Sequence, residues 1–284
     1  MKTNFKKELL IAKKGGYAIP AFNFDNMEML KGIIEAAEEK KSPVILMVTE
    51  SAALYMGVDY VFSLGRKAVE LSSVPVILHW DHGFDIDLIK RAIDSGFDSV
   101  MLDSSAKPFA INVEETKKVV EYAHKHGVCV ESEIGHVGGK EDDRESNSQQ
   151  YTNIKDAIEF NKQTNVDALA IAAGTAHGIY KTKPDLQFKL IEDIVESMET
   201  PIVLHGSSGV PLIDLKKAIK LGITKINIGT DLKVANANAV REWLVTNKDG
   251  YDARKFGKAA IDAVKLAAIE KIVAFNSQDK ANNR

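Results

Sequence analysis

The sequence predicts an α/β protein whose eight parallel strands close into a (β/α)8 barrel of the TIM type, with a C-terminal helical extension. Short β-rich runs recur along the chain, and most are continuously apolar, as expected of parallel strands covered by helices. Amphipathic helical patterns lie between these runs. Several of those patterns end at a glycine directly before the next strand, as in "RAIDSGFDSVML" and "KKAIKLGITKINI".

The eight predicted strands follow one another with helical stripes between them. The first such stripe, at helical spacing, consists of Met27, Leu30, Ile34 and Ala37. The strands are expected at residues 17–23, 43–49, 74–79, 99–103, 128–133, 168–172, 202–205 and 225–228. A doubly wound open sheet is the alternative, and it is weakened because no G-x-G-x-x-G turn follows the first strand.

Two segments depart from the strand–helix repeat. The polar stretch "GGKEDDRESNSQQYTN" is predicted to be a mobile loop after the fifth strand, a position where lids occur. The tail beyond Asp231 carries helical patterns interrupted by "TNKDGYDARKFG", and its last residues are expected to fray. No linker is evident, so residues 1–284 are expected to form one barrel domain with a helical extension at about 231–284.

Composition excludes several classes of function. The chain is 45% hydrophobic and 27% charged, which is typical of a globular protein, and its net charge of −3 argues against nucleic-acid or membrane-surface partners. Its one cysteine, Cys129, lies in an apolar run, so we expect a buried thiol, no internal disulfide and a reducing compartment. The sequence has no signal-peptide pattern and no apolar run near the ~20 residues that span a bilayer, which predicts a cytoplasmic protein.

Polar residues collect at the predicted carboxyl ends of the strands, where barrel enzymes have their sites. The segment "HWDHG" closes an otherwise apolar stretch, and burying such groups is costly unless they pair, bind a metal or do chemistry. Of seven histidines, five lie on these ends or the loops after them: His79, His82, His136, His177 and His205. This concentration favours a functional site.

Three of these histidines, His82, His177 and His205, follow separate strands and are predicted to converge. Three neutral imidazoles with an open fourth position form a common catalytic zinc site. The alternative is three loop histidines that are hydrogen-bonded separately. Glu131 and Glu133 share one face of the fifth strand, and Glu133 is either a ligand at a second metal position or the partner of a barrel lysine.

The segments "HGSSG" and "NIGTDL" follow the seventh and eighth predicted strands, where barrels often bind phosphate. Gly206, Ser207, Ser208 and Thr230 offer suitable donors, although tight turns with capping hydroxyls would have the same composition. Asp81 directly precedes His82, so its carboxylate could order a ligand or exchange protons.

Five ordered motifs, "HWDHG", "VESEIGHVGGKEDD", "GTAHGIY", "VLHGSSGVP" and "KINIGTDL", resemble those of the class II ketose-bisphosphate aldolases, with the fructose- and tagatose-bisphosphate enzymes nearest. The similarity runs from "GGYAIPAFNFDN" to "GYDARKFG". It implies a zinc-dependent barrel lyase, a homodimer or homotetramer, that cleaves a phosphorylated ketose into dihydroxyacetone phosphate and an aldehyde phosphate (glyceraldehyde 3-phosphate).

The resemblance also implies roles for individual residues. His82, His177 and His205 match the zinc ligands. Asp81 matches the residue that moves a proton to and from the aldehyde or hydroxyl oxygen, and Glu141 matches the glutamate that exchanges the proton at C3. The dihydroxyacetone-phosphate site, where the family commonly has a monovalent cation (Na⁺ or K⁺), matches Gly178, Gly206, Ser207, Ser208, Asn227, Ile228, Gly229 and Thr230. Lys181 and Arg254 match residues that reach the distal phosphate, Arg254 from a neighbouring subunit.

The sequence departs from the family where Trp80 replaces a usual leucine and Gly229 replaces a side chain that fructose-type enzymes retain. A ketose 1-phosphate with a different distal group therefore stays open as the substrate. A metal-dependent hydrolase is disfavoured because the first strand lacks histidine, and a Schiff-base aldolase because Lys225 begins its predicted strand. A non-catalytic partner subunit would be expected to have lost its site residues, which are all present.

Overall fold

Eight parallel strands close into a barrel in the computed structural model, which describes residues 3–141, 144–146 and 150–281. The predicted (β/α)8 barrel is confirmed. Its strands are β1 (Ile19–Asn23), β2 (Val44–Thr49), β3 (Val76–Gly83), β4 (Ser99–Leu102), β5 (Cys129–Ile134), β8 (Ala168–Ile171), β9 (Ile202–Leu204) and β10 (Ile223–Ile228), and β1 pairs with β10 to close the ring. Two short antiparallel strands, β6 (Gly139–Glu141) and β7 (Arg144–Ser146), form a hairpin after β5.

Helices alternate with the strands and extend beyond the last one. They are α1 (Phe5–Gly15), α2 (Met27–Glu39), α3 (Glu50–Met56), α4 (Val58–Leu71), α5 (Ile86–Ser95), α6 (Phe109–Lys125), α7 (Ile154–Thr164), α8 (Phe188–Ser197), α9 (Leu212–Lys220), α10 (Thr230–Thr246) and α11 (Ala253–Ala274). The predicted glycine stops are present. At the end of α5, for example, Gly96 has φ 98° and its N–H bonds to the carbonyls of Ala92 and Ile93.

The barrel interior is apolar at the amino-terminal end of its strands, where α1 covers it. The layer there comprises Tyr17, Ile19, Ala21, Ile45, Met47, Ile77, Cys129, Ala168, Ala170 and Val203, packed with Phe5, Leu9 and Ala12 of α1. The Phe5 ring stacks on His79 with centroids 5.3 Å apart. Among the described residues, α1 and this apolar layer therefore close the amino-terminal end of the barrel.

A second apolar layer lies between the strands and the surrounding helices. Trp80 belongs to it, fully buried with its ring edge-on to Phe97 at 5.7 Å. Cys129 is buried as expected, and that burial raises the pKa of its thiol.

Three details differ from the sequence-based expectation. Strand β3 continues to Gly83, so "HWDHG" lies within a strand, with Asp81 paired in register to Thr49 of β2. The segment expected to be a mobile loop contains the β6–β7 hairpin. Much of the tail expected to fray is held in place, because Asp279 N and Ala281 N donate to the carbonyls of Lys40 and Lys41 after α2, while residues 282–284 lie outside the described part of the chain.

Within the described ranges, none of the helices is both long and apolar enough to span a bilayer.

Candidate active site at the mouth of the barrel

Three histidines meet where the strands end. His82 lies near the end of β3, His205 directly follows β9, and His177 lies in the loop after β8. Their ring centroids are 4.7 Å apart for His82–His205, 5.0 Å for His82–His177 and 6.1 Å for His177–His205. One nitrogen from each lies within 4.8 Å of the others, and three nitrogen donors at such spacing fit a zinc ion with Zn–N bonds of about 2.0–2.1 Å.

His82 owes its position to an unusual backbone and to a carboxylate behind it. Its φ of 45° lies in the left-handed region, which few residues other than glycine adopt. Its Nδ1 lies 2.9 Å from Asp103 Oδ2, while Asp103 Oδ1 accepts from both N and Oγ of Ser105. Although burial alone would raise it, the pKa of Asp103 is held far below its usual range by these hydrogen bonds and by the charge of His82. Asp103 therefore orients His82.

His205 is held by two buried carboxylates of β5. Its Nε2 lies 2.9 Å from Glu131 Oε1, and its Nδ1 lies 3.1 Å from Glu133 Oε2. Burial lowers the pKa of His205, but these two hydrogen bonds outweigh it and raise the pKa above the ordinary value. Burial, together with the charges of His82 and His205, instead lowers the pKa of His177 well below its ordinary value, which keeps that ring neutral and able to bind a metal.

Glu133 takes part in a second cluster with metal-ligating geometry, formed with His82 and Asp103. Its Oε1 also accepts from Val137 N at 2.9 Å. The alternative role expected for Glu133 was a pair with a barrel lysine, but Lys225, which is buried in the barrel, pairs with Glu131. Glu133 is thus placed where an alternative ligand would lie.

Asp81 lies on the barrel interior, fully buried. Its Oδ2 accepts from Asn23 Nδ2 at 2.9 Å and its Oδ1 accepts from Asn227 Nδ2 at 3.3 Å. Burial alone would raise its pKa, but the neighbouring charges of His82 and Lys225 lower the pKa to about 2. At neutral pH the side chain is an oriented carboxylate beside the histidines.

A cleft of about 450 Å³ opens over these residues. Its lining includes His177 and eight more of the predicted site residues: Gly178, Lys181, Gly206, Ser207, Ser208, Asn227, Gly229 and Thr230. Helix α10 begins here at Thr230, and the N–H groups of a helix start can bind an anion. Ser208 Oγ already accepts from Asp231 N in the first turn of α10 at 3.2 Å.

Gly206 is required by its surroundings. Its φ is 60°, and an added Cβ would lie 2.6 Å from the backbone of Ala176. Tyr180 ties the same two segments together, since its hydroxyl accepts from Ala176 N and donates to Gly206 O, each at 2.7 Å. The loops that carry His177 and His205 are therefore packed against each other.

Two predicted site residues do not place a side chain in this site. The Ile228 side chain packs in the apolar layer between strands and helices, so only its backbone can reach the site. Arg254 lies in the first turn of α11; its side chain is 90% exposed, pairs with Asp252 and lines a separate surface groove. Glu141 ends β6, and its side chain lies outside the described part of the chain.

The hairpin that carries Glu141 is nevertheless fixed to the site by its backbone. His177 N donates to Gly138 O at 2.8 Å, and Lys140 N donates to His177 O at 3.1 Å. Lys140 also lines the cleft. The start of the hairpin is thus hydrogen-bonded to the residue that presents one of the three imidazoles.

Sequence reasoning missed several residues that build the site. Asn23 and Thr49 line the cleft at the ends of β1 and β2, and Lys233 of α10 lines it as well. Asp103 supports His82 from the end of β4. Their positions in the sequence could have indicated them. Asn23 and Thr49 each end a predicted strand, and Asp103 is the first residue of the polar segment "DSSAKP".

Comparison with known proteins places the chain among aldolases. A family described as "Fructose-bisphosphate aldolase class-II" matches residues 3–280. The "Probable fructose-bisphosphate aldolase" of Bacillus subtilis (strain 168) is 45% identical over 273 residues, covering 95% of this chain and 96% of the relative. The "Fructose-bisphosphate aldolase" of Staphylococcus epidermidis (strain ATCC 12228 / FDA PCI 1200) is 45% identical over 279 residues, covering 97% and 98%.

Solved structures agree with this similarity. The YdjI aldolase from Escherichia coli K12 superposes with a TM-score of 0.88 at 36% identity, covering 99% of this chain and 100% of that one. A putative fructose-1,6-bisphosphate aldolase from Coccidioides immitis gives a TM-score of 0.91 at 28% identity, covering 98% of each chain.

Proposed function

The chain belongs to the class II fructose-bisphosphate aldolase family of lyases, and from that premise we propose that it is a zinc-dependent ketose-1,6-bisphosphate aldolase. The proposed reaction is the reversible cleavage of fructose or tagatose 1,6-bisphosphate between C3 and C4. Its products are dihydroxyacetone phosphate and glyceraldehyde 3-phosphate.

One observation carries the proposal: His82, His177 and His205 offer nitrogens within 4.8 Å of one another, and the buried carboxylate of Asp81 directly precedes His82 in β3. The donor set and its spacing fit zinc, with Glu133 as the residue able to serve a second metal position. A zinc ion bound there supplies a Lewis acid that polarises the C2 carbonyl and stabilises the negative charge that develops on cleavage.

The proton transfers are assigned to two carboxyl groups. As the C3–C4 bond breaks, the Asp81 carboxylate takes the proton of the C4 hydroxyl, so that C4 leaves as an aldehyde. Glu141 gives a proton to C3 of the dihydroxyacetone-phosphate half. In the condensation direction both transfers reverse. The two amides that donate to Asp81, from Asn23 and Asn227, support this role because they fix its carboxylate in one orientation.

The phosphate of the dihydroxyacetone half is assigned to the loops after β9 and β10. Small residues and hydroxyls line the cleft there, and α10 begins at the same place. The site residues proposed are Gly178, Gly206, Ser207, Ser208, Asn227, Ile228 by its backbone, Gly229 and Thr230. A monovalent cation, Na⁺ or K⁺, would neutralise part of that phosphate's charge.

The distal phosphate is assigned to cations. Lys181 lines the cleft of its own chain. Arg254 has a 90% exposed side chain and lines a separate surface groove, and we assign it to the site of a neighbouring subunit in a homodimer or homotetramer.

A coupled assay of triose phosphate release tests the proposal. Fructose 1,6-bisphosphate, tagatose 1,6-bisphosphate and ketose 1-phosphates with other distal groups are compared before chelation, after chelation and after Zn²⁺ is restored. We expect cleavage to stop on chelation and to return with Zn²⁺. Cleavage that chelation leaves unchanged would contradict the zinc assignment, whereas turnover of only a different ketose phosphate would correct the substrate.

A further inference from the structure

A lysine and a glutamate lie buried beneath the candidate active site. Lys225 of β10 and Glu131 of β5 both have no exposed surface, and Lys225 Nζ lies 3.0 Å from Glu131 Oε1 and from Glu131 Oε2. On the two adjacent strands the lysine pairs in register with apolar residues, Ile19 of β1 and Val203 of β9. The proton transfers proposed above use neither residue.

A contribution to folding stability does not explain an ion pair that is buried this deeply. Removing two charges from water costs about as much as their attraction returns, and well-packed apolar side chains of similar size often stabilise a fold better. The remaining hydrogen bonds of the pair indicate what it does. Glu131 is also hydrogen-bonded to His205, and Lys225 is also hydrogen-bonded to Asn227, so each partner contacts a residue of the candidate site.

The bond from Glu131 fixes one nitrogen of His205. Glu131 Oε1 accepts from His205 Nε2 at 2.9 Å, which turns the opposite nitrogen, Nδ1, toward Glu133 at the mouth of the barrel. A metal-binding histidine is commonly oriented by a carboxylate on its second nitrogen. Glu131 therefore selects Nδ1 of His205 as the nitrogen offered to a metal.

The bond from Lys225 fixes an amide. Its Nζ donates to Asn227 Oδ1 at 2.8 Å, and an ammonium group can only donate. The amide oxygen of Asn227 must therefore face the lysine, which leaves Nδ2 to donate to Asp81 Oδ1 at 3.3 Å. An apolar residue in place of Lys225 would donate no hydrogen bond to Asn227 Oδ1. Position 225 would then no longer favour one of the two orientations of the Asn227 amide.

We propose that Lys225 is a positioning residue, whose buried ammonium group orients Asn227 toward Asp81 and holds Glu131 as the carboxylate that orients His205. One cation thus sets the geometry of both the proton-transfer carboxylate and one metal ligand. The inference rests on the proposed function in taking Asp81 and His205 as site residues.

The nearby histidine does not provide this positive charge. His79 precedes Asp81 by two residues in β3, so their side chains lie on the same face of the strand. Its Nε2 lies 4.0 Å from Glu131 Oε2 and its Nδ1 lies 2.7 Å from Ser99 Oγ. Burial, first, and the charge of Lys225, second, lower the pKa of His79 to about 3, so the ring is neutral. Lys225 is the cation that compensates Glu131.

The test uses three variants of the full-length protein. Lys225→Met removes the ammonium group and keeps an unbranched side chain that reaches as far as Cε. Because that variant leaves Glu131 as a buried carboxylate without its cation and could unfold, Lys225→Met combined with Glu131→Gln removes both charges and leaves a neutral amide, which is a weaker acceptor for His205 than the carboxylate. Asp167→Asn is the matched control, since it removes a buried carboxylate that accepts from His124 and from Val130 N, at the other end of the barrel.

Four properties are measured: the melting temperature, Zn²⁺ affinity by competition with a chelating dye, the visible absorption of the Co²⁺-loaded protein, and kcat and KM for ketose bisphosphate cleavage. In folded variants lacking Lys225 we expect Zn²⁺ affinity to fall by about 10-fold or more, the Co²⁺ bands to shift, and kcat to fall by about 10-fold or more with a nearly unchanged KM. The control should keep all of these values apart from a lower melting temperature.

The results that would overturn the inference differ from the result that would overturn the proposed function. If Lys225→Met does not fold, the double variant decides, and its retention of the Zn²⁺ affinity, Co²⁺ spectrum and kcat of the unsubstituted protein would overturn the inference. Equal losses in Asp167→Asn would also overturn it, since they would follow from removing any buried charge. If the unsubstituted protein neither binds Zn²⁺ nor cleaves a ketose bisphosphate, the proposed function fails and the inference fails with it.

Discussion

Asp81 and His82 are consecutive in β3, yet both side chains serve the same site. The carboxylate of Asp81 faces the barrel interior and accepts from Asn23 and Asn227, whereas the ring of His82 lies against those of His177 and His205. Neighbours in a regular strand point to opposite faces. The left-handed φ of His82, 45°, breaks that alternation and brings a carboxylate and an imidazole together.

Replacing Asp81 by Asn should therefore separate proton transfer from metal binding. The amide keeps the size of the side chain but cannot take up a proton, so kcat for ketose bisphosphate cleavage should fall by about 10²–10⁴-fold. Zinc content should stay that of the unsubstituted protein, because the histidines retain their contacts. Parallel measurement of kcat and bound zinc checks this, and full activity in Asp81→Asn would remove the residue from the proposed mechanism.

Replacing Asp103 by Asn should have the opposite pattern. The loss of the carboxylate 2.9 Å from His82 Nδ1 leaves that ring less firmly oriented, and zinc affinity should fall by about 10–100-fold. Activity should return when Zn²⁺ is added in excess. Asp87→Asn, in the exposed first turn of α5, is a suitable control for loss of one negative charge. Unchanged zinc affinity in Asp103→Asn would argue that His82 is oriented by its backbone alone.

The sequence predicted the barrel and, apart from that of β3, the strand ends well, because strand and helix periodicity and the position of polar residues are local signals. It could not predict contacts made only when the ring closes. The partner of Lys225, for instance, is Glu131, which is 94 residues away along the chain. Likewise, strand periodicity would place His82 on the outer face, and only its φ explains why it lies at the mouth.

Because Cys129 is buried, we expect its thiol to react slowly with disulfide reagents. Burial, foremost, and the negative charge of Asp167 raise the pKa of the thiol, so the unfolded chain ionises at a lower pH than the folded one. Stability from this group is thus present at neutral pH and lost as the pH rises above the thiol pKa of the unfolded chain.

A disulfide reagent tests this at mildly alkaline pH. We expect the native protein to react at least about 100-fold more slowly than the protein in guanidinium chloride, where one thiol should titrate. Asn4 Nδ2 donates to the Cys129 sulfur at 3.3 Å from the start of α1. Equal rates in both conditions would mean that α1 opens readily and that the amino-terminal end of the barrel is not plugged.

Two glycines with similar backbone angles provide a matched pair for the last prediction. Gly206 has φ 60° with the backbone of Ala176 2.6 Å from where a Cβ would lie, whereas Gly127 has φ 72° and no atom within 4 Å of that point. Alanine at Gly127 should cost only the strain of a left-handed residue, about 1–2 kcal/mol. Alanine at Gly206 carries the same strain and must also displace Ala176, which adjoins His177. We therefore expect Gly206→Ala to lose at least about 10-fold in zinc affinity and activity, and Gly127→Ala to lose neither. Melting curves and zinc competition on both variants check this, and identical behaviour of the two would show that the loops after β8 and β9 adjust without moving the histidines.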